Sequence, residues 1–378
     1  MGKIKNDRLI NTSYRPQSHF DSAIFIFLIG ISIFIFLFTS GCENGITNPV
    51  NSIGDLCYEK FVNNHWEIFT NNISGTNPQN ISNYSDDDEY PRWSPDGRYI
   101  VYSRSQSLGG LLIIVYDTKT QTSKDISDGG EADLQPQWTP NSKVFFGYSY
   151  SWSKYHGTYL MNPDGSDGKK ILDTTATIYF YNDSYNFLYV LEHTKVYKTN
   201  IDNTFNELLL DLPSSGSEQY YTIRDFNPST GNLLVNSVNT KTLYNSPNFI
   251  ATLNVETKQL TPIVTAEDDY VLYFEKYSKN FSKIAFIEYS NNDEYLSVLE
   301  NGNKKRLQRI TASNPPVHFS HVPMEFSPDG KYIAFSKQIF HSGQWVTFST
   351  PLFIVNVDNG AVHQLEDEAH GPSWNPQP

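Results

Sequence analysis

A repeated phrase strongly limits what this chain can fold into. Its clearest copy lies in residues 90–103, where two apolar runs flank Ser94-Pro95-Asp96-Gly97. Pro95 fixes the φ angle at the first corner of a turn, Asp96 can bond its own backbone, and Gly97 can take the positive φ that closes a tight hairpin. The phrase therefore predicts a strand, a turn and a second strand.

Further copies of the phrase follow along the chain, some of them degenerate. The aromatic anchors of all copies fall near residues 93, 138, 181, 226, 277, 326 and 374, at a spacing of about 43–51 residues. Repeats of this length in a sequence rich in strand-forming residues are typical of propeller blades. The 25 Tyr and 24 Phe suit many short, half-buried strands.

The first and last repeat fragments complement one another. Residues 56–82 supply a second, third and fourth strand without a preceding phrase, and residues 371–374 supply a first strand with nothing after it. We therefore predict an all-β fold, a seven-bladed β-propeller closed by pairing of the C-terminal strand with the N-terminal blade. Six complete units and the shared unit account for residues 56–378.

The repeats resemble those of TolB-like β-propeller proteins. Those proteins carry a Trp-Ser-Pro-Asp-Gly-Lys phrase followed by Ile-Ala-Phe-Ser, and later a Met-Asn-x-Asp-Gly-Ser turn; residues 326–336 and 161–166 match these motifs closely. The resemblance covers roughly residues 56–378 and implies the propeller fold. It carries little information on function, because the α/β domain that precedes the TolB propeller is not seen in this sequence.

The N-terminus is predicted to be an export signal. Basic residues precede the apolar residues 23–38, and the small residues 39–41 before Cys42 resemble the lipobox of bacterial lipoproteins. The resemblance implies a signal peptide over residues 1–41, lipid on Cys42 and a flexible tether over residues 42–55. Alternatively, the apolar segment is an uncleaved anchor helix. Both interpretations place the protein on a bacterial envelope membrane, at the outer membrane or the periplasmic side.

Charge and cysteine content exclude several classes of function. The formal charge is −13, and it would be −15 without residues 1–41, so a nucleic-acid partner is disfavoured. Lipid on Cys42 would leave Cys57 without a disulfide partner, and its strand-like surroundings predict a buried, apolar role. The sequence contains no nucleophile elbow, phosphate loop, Cys-x-x-Cys or His-Glu-x-x-His.

Propeller geometry sorts the connecting segments onto two faces. Turns from first to second and from third to fourth strands share one face, here called the turn face. Loops from second to third strands and connections from fourth strands to the next first strands share the other, here called the connection face. The longer loops belong to the connection face, so we expect binding there. The repeat phrases themselves are interpreted as architecture, with their aromatic anchors wedged between blades.

The connection face is predicted to carry carboxylates and aromatic rings. Four acidic connections contribute Asp88, Asp133, Asp269 and Asp367, and the loops contribute Tyr150, Trp152, Tyr155, Tyr244, Phe340 and Trp345. The carboxylates suit a basic partner, a divalent cation at the channel mouth, or plain solvated loops. The aromatic residues suit a protein hot spot, a sugar-stacking platform, or ordinary packing along an extended second strand.

His318, His321 and His370 are the candidate metal ligands, because they precede first strands and lie close in sequence to carboxylates. Oligogalacturonate lyases are built on a related propeller with a His-rich metal site, although no lyase motif occurs here. We expect a non-catalytic, membrane-tethered propeller that binds an envelope protein or a polysaccharide and needs no cofactor. The alternatives are a polysaccharide lyase or glycosidase acting at the channel mouth, and a scaffold in a multiprotein complex.

Overall fold

Thirty β-strands and no helix make up the regular structure of the described residues. The computed structural model describes residues 54–377 except 107–109, 128–135, 140, 149–155, 174–176, 183–186, 193–194, 201–205, 214–218, 228, 240–247, 268–269, 291–292, 311–323, 338 and 342–346. For the strands within 177–192, 219–220, 238–239 and 339–349 it describes the backbone alone. The compact unit that contains these strands spans Ile53–Pro378.

In the first half of the chain the strands are β1 (Leu56–Val62), β2 (His65–Asn71), β3 (Gln79–Asn80), β4 (Asp88–Trp93), β5 (Tyr99–Ser105), β6 (Leu111–Asp117), β7 (Thr122–Asp125), β8 (Gln137–Trp138), β9 (Val144–Tyr148), β10 (Gly157–Met161), β11 (Lys169–Leu172), β12 (Thr177–Asn182), β13 (Phe187–Glu192), β14 (Lys195–Asn200) and β15 (Asn206–Asp211). In the second half they are β16 (Gln219–Asn227), β17 (Asn232–Asn239), β18 (Phe249–Asn254), β19 (Leu260–Thr265), β20 (Val271–Tyr277), β21 (Lys283–Tyr289), β22 (Glu294–Glu300), β23 (Asn303–Arg309), β24 (Met324–Phe326), β25 (Tyr332–Ser336), β26 (Ile339–His341), β27 (Thr347–Ser349), β28 (Leu352–Asn356), β29 (Val362–Glu366) and β30 (Ala369–Trp374).

The strands form antiparallel four-stranded sheets arranged as a β-propeller. Five sheets take four consecutive strands each: β4–β7, β8–β11, β12–β15, β16–β19 and β20–β23. A sixth has the order β24-β25-β28-β29, with the hairpin β26–β27 inserted after its second strand. The remaining sheet has the order β3-β2-β1-β30, so the last strand pairs with the first, with Leu56 opposite Trp374.

The expected seven-bladed ring needs a correction. Only six blades are each formed by a single stretch of chain, from β4 to β29. The remaining four-stranded sheet is a composite of both chain ends, and its outer strand β3 is only two residues long. The physical reason is that the first repeat unit lacks a first strand of its own and borrows β30. The architecture is therefore an all-β propeller of six such blades together with the composite sheet.

The repeated phrase forms the same turn even in degenerate copies. Ser94 Oγ donates a hydrogen bond to Asp96 Oδ1 (2.6 Å) and accepts one from the backbone N–H of Tyr99 (2.8 Å). In a copy without the Pro, Asp and Gly, Ser278 Oγ donates to Asn280 Oδ1 (2.8 Å). These contacts add to a backbone bond within each turn, from the N–H of Gly97 to Ser94 O and from the N–H of Phe281 to Ser278 O. Phe281 takes the positive φ of 57° where Gly97 takes 70°, so the turn forms even without the glycine.

Apolar clusters between neighbouring sheets form the core. Cys57 and Ile68 from the composite sheet pack with Trp93 and its neighbours in the β4–β7 blade. Trp93, Phe326 and Trp374 are at most 6% exposed, which confirms that anchors are wedged between sheets. Burying such a side chain contributes roughly 1.5–3 kcal/mol. Cys57 is fully buried with a free thiol, as predicted.

First strands occupy the innermost position of the propeller. Each lies at one edge of its sheet, and first strands of neighbouring sheets contact one another: β30 with β4, β4 with β8, β12 with β16, β16 with β20, β20 with β24, and β24 with β30. The channel wall is therefore made from the strands that carry the aromatic anchors.

Candidate functional site: a charged cavity and an aromatic surface

Residues that immediately precede the aromatic anchors line one cavity of about 440 Å³. The anchor-preceding residues are Arg92, Gln137, Asp225, Lys276, Glu325 and Ser373, one from each of six first strands. Pro95, Phe281 and Pro328 from first-to-second turns and Pro376, which follows β30, also line the cavity. The cavity therefore lies at the turn-face end of the channel.

Asp225 is the most fully bonded charged residue of this cavity. Its Oδ1 accepts the backbone N–H of Phe226 at 2.9 Å, and its Oδ2 accepts that of Tyr277 at 3.0 Å. Lys276 Nζ lies 3.4 Å from the same Oδ2. The Asp225 carboxylate raises the pKa of Lys276, while burial opposes this shift. Asp225 therefore holds Lys276 charged at the cavity wall.

Glu325 has fewer partners than Asp225. No side chain among the described residues pairs with its carboxylate within 4 Å, although Arg92 and Lys276 line the same cavity. Burial raises the pKa of Glu325, and the two cations and the backbone N–H of Trp374 act against this rise. A cationic group inside the cavity would stabilise the charged form of Glu325.

Arg92 has unused hydrogen-bonding capacity as well. Its Nη1 donates to the carbonyl oxygen of Pro91 at 2.7 Å, and the described residues place no carboxylate within ion-pair distance of the guanidinium. A guanidinium has five N–H donors. Arg92 could therefore receive an acceptor that enters the cavity.

Sequence reasoning missed this cavity because it interpreted the repeat phrase as architecture alone. The signal was present at one position of the repeat, directly before the anchor. There the aromatic residue is kept while the preceding residue changes between Arg, Gln, Asp, Lys, Glu and Ser. Alternation between a fixed packing position and a variable neighbour is what a strand with one buried and one channel-facing side produces.

Asp88, a predicted carboxylate of the connection face, is buried. Arg104 Nε and Nη2 donate to its two carboxylate oxygens at 2.7 and 2.9 Å. Burial raises the pKa of Asp88, and Arg104 lowers it. The carboxylate is therefore used to hold β4 against β5 and does not reach solvent.

Other acidic connections that the structure describes also contain internal ion pairs. Glu366 accepts hydrogen bonds from Tyr58 Oη and Lys60 Nζ, both at 2.6 Å. Asp367 is exposed and accepts one from Gln364 Nε2 at 2.6 Å. The connection face therefore has less free negative charge than its sequence indicates.

An aromatic surface lies on the connection face, in the composite sheet and the connection that follows it. Phe61 and Tyr84 are 42% and 46% exposed. The ring of Trp66 lies 5.2 Å from that of Phe61 and 4.3 Å from that of His370. Tyr84 stacks on the guanidinium of Arg104 at 3.7 Å. We call Phe61, Trp66 and Tyr84 the aromatic patch.

His370 lies beneath Trp66 of the aromatic patch. Its Nδ1 is 3.1 Å from Glu59 Oε2, and the other oxygen of Glu59 accepts the backbone N–H of Tyr90 at 2.8 Å. Burial lowers the pKa of His370 to about 4 and raises that of Glu59 to about 8. Within the described part of the chain no group of three metal-ligating side chains occurs.

Most other predicted site residues lie outside the described residues. These are Cys42, Asp133, Tyr150, Trp152, Tyr155, Tyr244, Asp269, His318, His321 and Trp345. Phe340 lies in β26, whose backbone pairs with β27, so the predicted loop contains a hairpin there. Across the residues that are described, no helix has the length and apolar character needed to cross a membrane.

Solved structures resemble this chain in fold. The β-propeller domain of the Trilobed protease from Pyrococcus furiosus matches with 16% identity and a TM-score of 0.53, over 84% of this chain and 96% of that one. An oligogalacturonate lyase in complex with manganese matches with 10% identity and a TM-score of 0.52, over 73% and 76%. TolB from Acinetobacter baumannii matches with 14% identity and a TM-score of 0.49, over 85% of this chain and 66% of TolB.

The two matches with TM-scores above 0.5 define the class of protein, a β-propeller, and at such low identities they show the fold alone. This chain spans just under two thirds of the length of TolB. Neither a protein-family profile nor a curated protein matches the sequence.

Proposed function

We propose that this protein is a non-catalytic binding propeller that captures an envelope protein or a polysaccharide through its connection face. The observation that carries the proposal is the aromatic patch of Phe61, Trp66 and Tyr84. Large aromatic rings exposed together supply much contact area at small entropic cost, and they dominate both protein hot spots and sugar stacking.

Carboxylates beside the patch hold its backbone in place. Glu67 accepts the backbone N–H of Tyr84 at 3.2 Å, and Asp87 accepts that of Trp66 at 2.7 Å. Those bonds fix the backbone on which the rings are mounted. A rigid aromatic surface loses little freedom when a partner docks, which favours affinity.

Membrane attachment is the second part of the proposal. Lipid on Cys42, at the end of the predicted signal peptide, would tether the propeller to the outer membrane or the periplasmic side of the envelope. The intact mass of the membrane-extracted protein tests this. Loss of residues 1–41 with added acyl mass is the expected result, whereas a retained N-terminus would mean an anchor helix.

Affinity capture tests the binding face. The full-length chain and the variant Phe61→Ala/Trp66→Ala are each incubated with envelope extract from the native cells. We expect the variant to capture about tenfold less partner than the native chain, or still less, because truncation of hot-spot aromatics has effects of this size. The matched control is Leu208→Ala, which removes a side chain that is 48% exposed on the outer strand β15.

Equal capture by the native chain, the patch variant and the control would reject the aromatic patch as the binding surface. A second variant, Trp152→Ala/Tyr155→Ala/Trp345→Ala, tests the predicted loop residues of the same face. Loss of capture only in that second variant would keep the connection face and move the contact to its loops.

A further inference from the structure

We propose that the cavity at the turn-face end of the channel is a separate binding site for a small zwitterion of the amino-acid class, one that carries an ammonium and a carboxylate. The ammonium would bind Glu325, and the carboxylate would bind Arg92 and Lys276. The proposal is independent of the connection face, because none of the cavity residues belongs to the aromatic patch.

Glu325 is the residue that would bind the ammonium group of the ligand. Its carboxylate lines the cavity, it is partly buried, and the described side chains leave it without an ion-pair partner within 4 Å. A partly desolvated carboxylate is costly unless a charged donor satisfies it. Asp225 differs because two backbone N–H groups and Lys276 already bond it. Of these two carboxylates, Glu325 therefore has more acceptor capacity left for a ligand.

Arg92 and Lys276 are the residues that would bind the carboxylate group of the ligand. The guanidinium of Arg92 donates a hydrogen bond to a backbone carbonyl, and no described carboxylate lies within 4 Å of it. The side chain of Lys276 is 44% exposed, and its Nζ lies 3.4 Å from Asp225 Oδ2. A guanidinium binds a carboxylate through two parallel N–H bonds, which is the strongest pairing open to it. Lys279, exposed at the rim, adds a third cation.

Mixed charge excludes the simpler ligand classes. Glu325 would repel an anion, and three cations would repel a purely cationic ligand. A neutral polyol would form weaker hydrogen bonds with Glu325 and Arg92 than charged groups would. Only a ligand with both signs satisfies both groups. Its carbon skeleton would lie on the rim prolines Pro95 and Pro328, and the volume of about 440 Å³ fits a small molecule.

Calorimetric titration of the full-length chain tests the ligand side. The probes are the free standard amino acids, and for each one that binds, its N-acetyl and its carboxamide derivatives. We expect at least one free amino acid to bind saturably, and each blocked derivative to bind roughly 30-fold more weakly, since each removes one buried charge contact. Binding of a dipeptide with free termini as tightly as the amino acid would identify a short peptide as the source of the same chemistry.

Variants test the protein side. Glu325→Gln should weaken binding of the free amino acid but leave binding of its N-acetyl derivative unchanged. Arg92→Gln should weaken binding of the free amino acid but leave binding of its carboxamide unchanged. The control is Glu207→Gln, which removes a carboxylate from an exposed position of β15. Such crossed effects cannot arise from loss of folding, which would abolish binding of every probe.

Three results would overturn the proposal. They are the absence of saturable binding by any free amino acid, equal binding of the free and blocked forms by the native chain, and unchanged binding by folded Glu325→Gln and Arg92→Gln variants. None of them affects the proposed function, because capture through Phe61 and Trp66 uses other residues.

Discussion

The indole Nε1 of Trp374 donates a 2.9 Å hydrogen bond to the backbone carbonyl oxygen of Glu325. Trp138 Nε1 does the same to the carbonyl of Arg92 at 2.8 Å. In both pairs an anchor bonds the residue that precedes the anchor of a neighbouring sheet. The anchors that fill the core therefore also fix the backbone of two charged residues in the cavity.

Replacing Trp374 by Phe should cost more than about 1 kcal/mol of unfolding free energy, because the hydrogen bond to Glu325 is lost and the smaller phenyl ring leaves a cavity in the core. Urea unfolding followed by circular dichroism measures the change. Trp66→Phe, at a half-buried position of the connection face, is the control and should leave the midpoint nearly unchanged. Equal midpoints for Trp374→Phe and the native chain would mean that the bond adds no stability.

Loss of the Asp88–Arg104 ion pair should lower the free energy of unfolding far more than loss of an exposed ion pair. Asp88→Ala leaves the Arg104 guanidinium, whose side chain is 12% exposed, without its carboxylate, and we expect a loss of about 3 kcal/mol. Arg98→Ala breaks the ion pair with Asp117, in which the Arg98 side chain is 46% exposed, and should cost much less because solvent screens that pair. Similar losses from the two substitutions in chemical unfolding would contradict the assigned burial of Asp88.

Glu59 should make the propeller less stable as pH rises. Its pKa is raised by burial from 4.5 to about 8, so between these values the folded chain holds a proton that the unfolded chain has released. Its contribution is complete below about pH 4.5 and is lost as pH approaches 8. His370, whose pKa burial lowers from 6.5 to about 4, acts in the opposite sense, with stability lost as pH falls through that window.

The Glu59 prediction is checked by unfolding the native chain and Glu59→Gln at pH 5 and pH 8. The native chain should lose more than about 1 kcal/mol relative to the variant over this interval. Glu207→Gln, at an exposed position, should follow the native profile. A native loss no larger than that of Glu59→Gln would show that Glu59 is ionised in the folded state.

Gly371→Ala should destabilise the composite sheet. Gly371 has a φ of +62°, and a Cβ there would lie 2.6 Å from Glu59 Oε1. Gly302→Ala is the matched control, because its φ of +77° imposes similar backbone strain while nothing lies within 4 Å of the added carbon. Both should lose about 1 kcal/mol from the positive φ, and Gly371→Ala should lose clearly more through the clash. Thermal unfolding compares them, and equal losses would show that Glu59 moves aside freely.

The sequence predicts the propeller architecture because contacts between residues close in sequence form its turns. The bond from Ser94 to Asp96 forms within three residues, and the degenerate copy at Ser278 forms its equivalent. The aromatic anchors also repeat at one position of every unit. Propeller fold, wedged anchors and the burial of Cys57 could therefore be predicted from the residues alone.

The site could not be predicted in the same way, because its charges are balanced across long sequence distances. Asp88 belongs to a run of acidic residues that indicates a solvated loop, yet Arg104 on the next strand buries and neutralises it. Glu366 accepts a hydrogen bond from Lys60, which lies more than 300 positions away in the sequence. Phe61 and Trp66 were missed because the first repeat unit lacks the phrase that marks the others.

The pairing of Leu56 with Trp374 sets the order in which this molecule can be completed. β1 is made before the other described strands and its partner β30 after them, so the composite sheet keeps an open edge until residues 369–374 have been made. Contacts of such long separation form slowly and expose an unpaired strand meanwhile. The propeller therefore cannot close its ring before the chain has been made through Trp374.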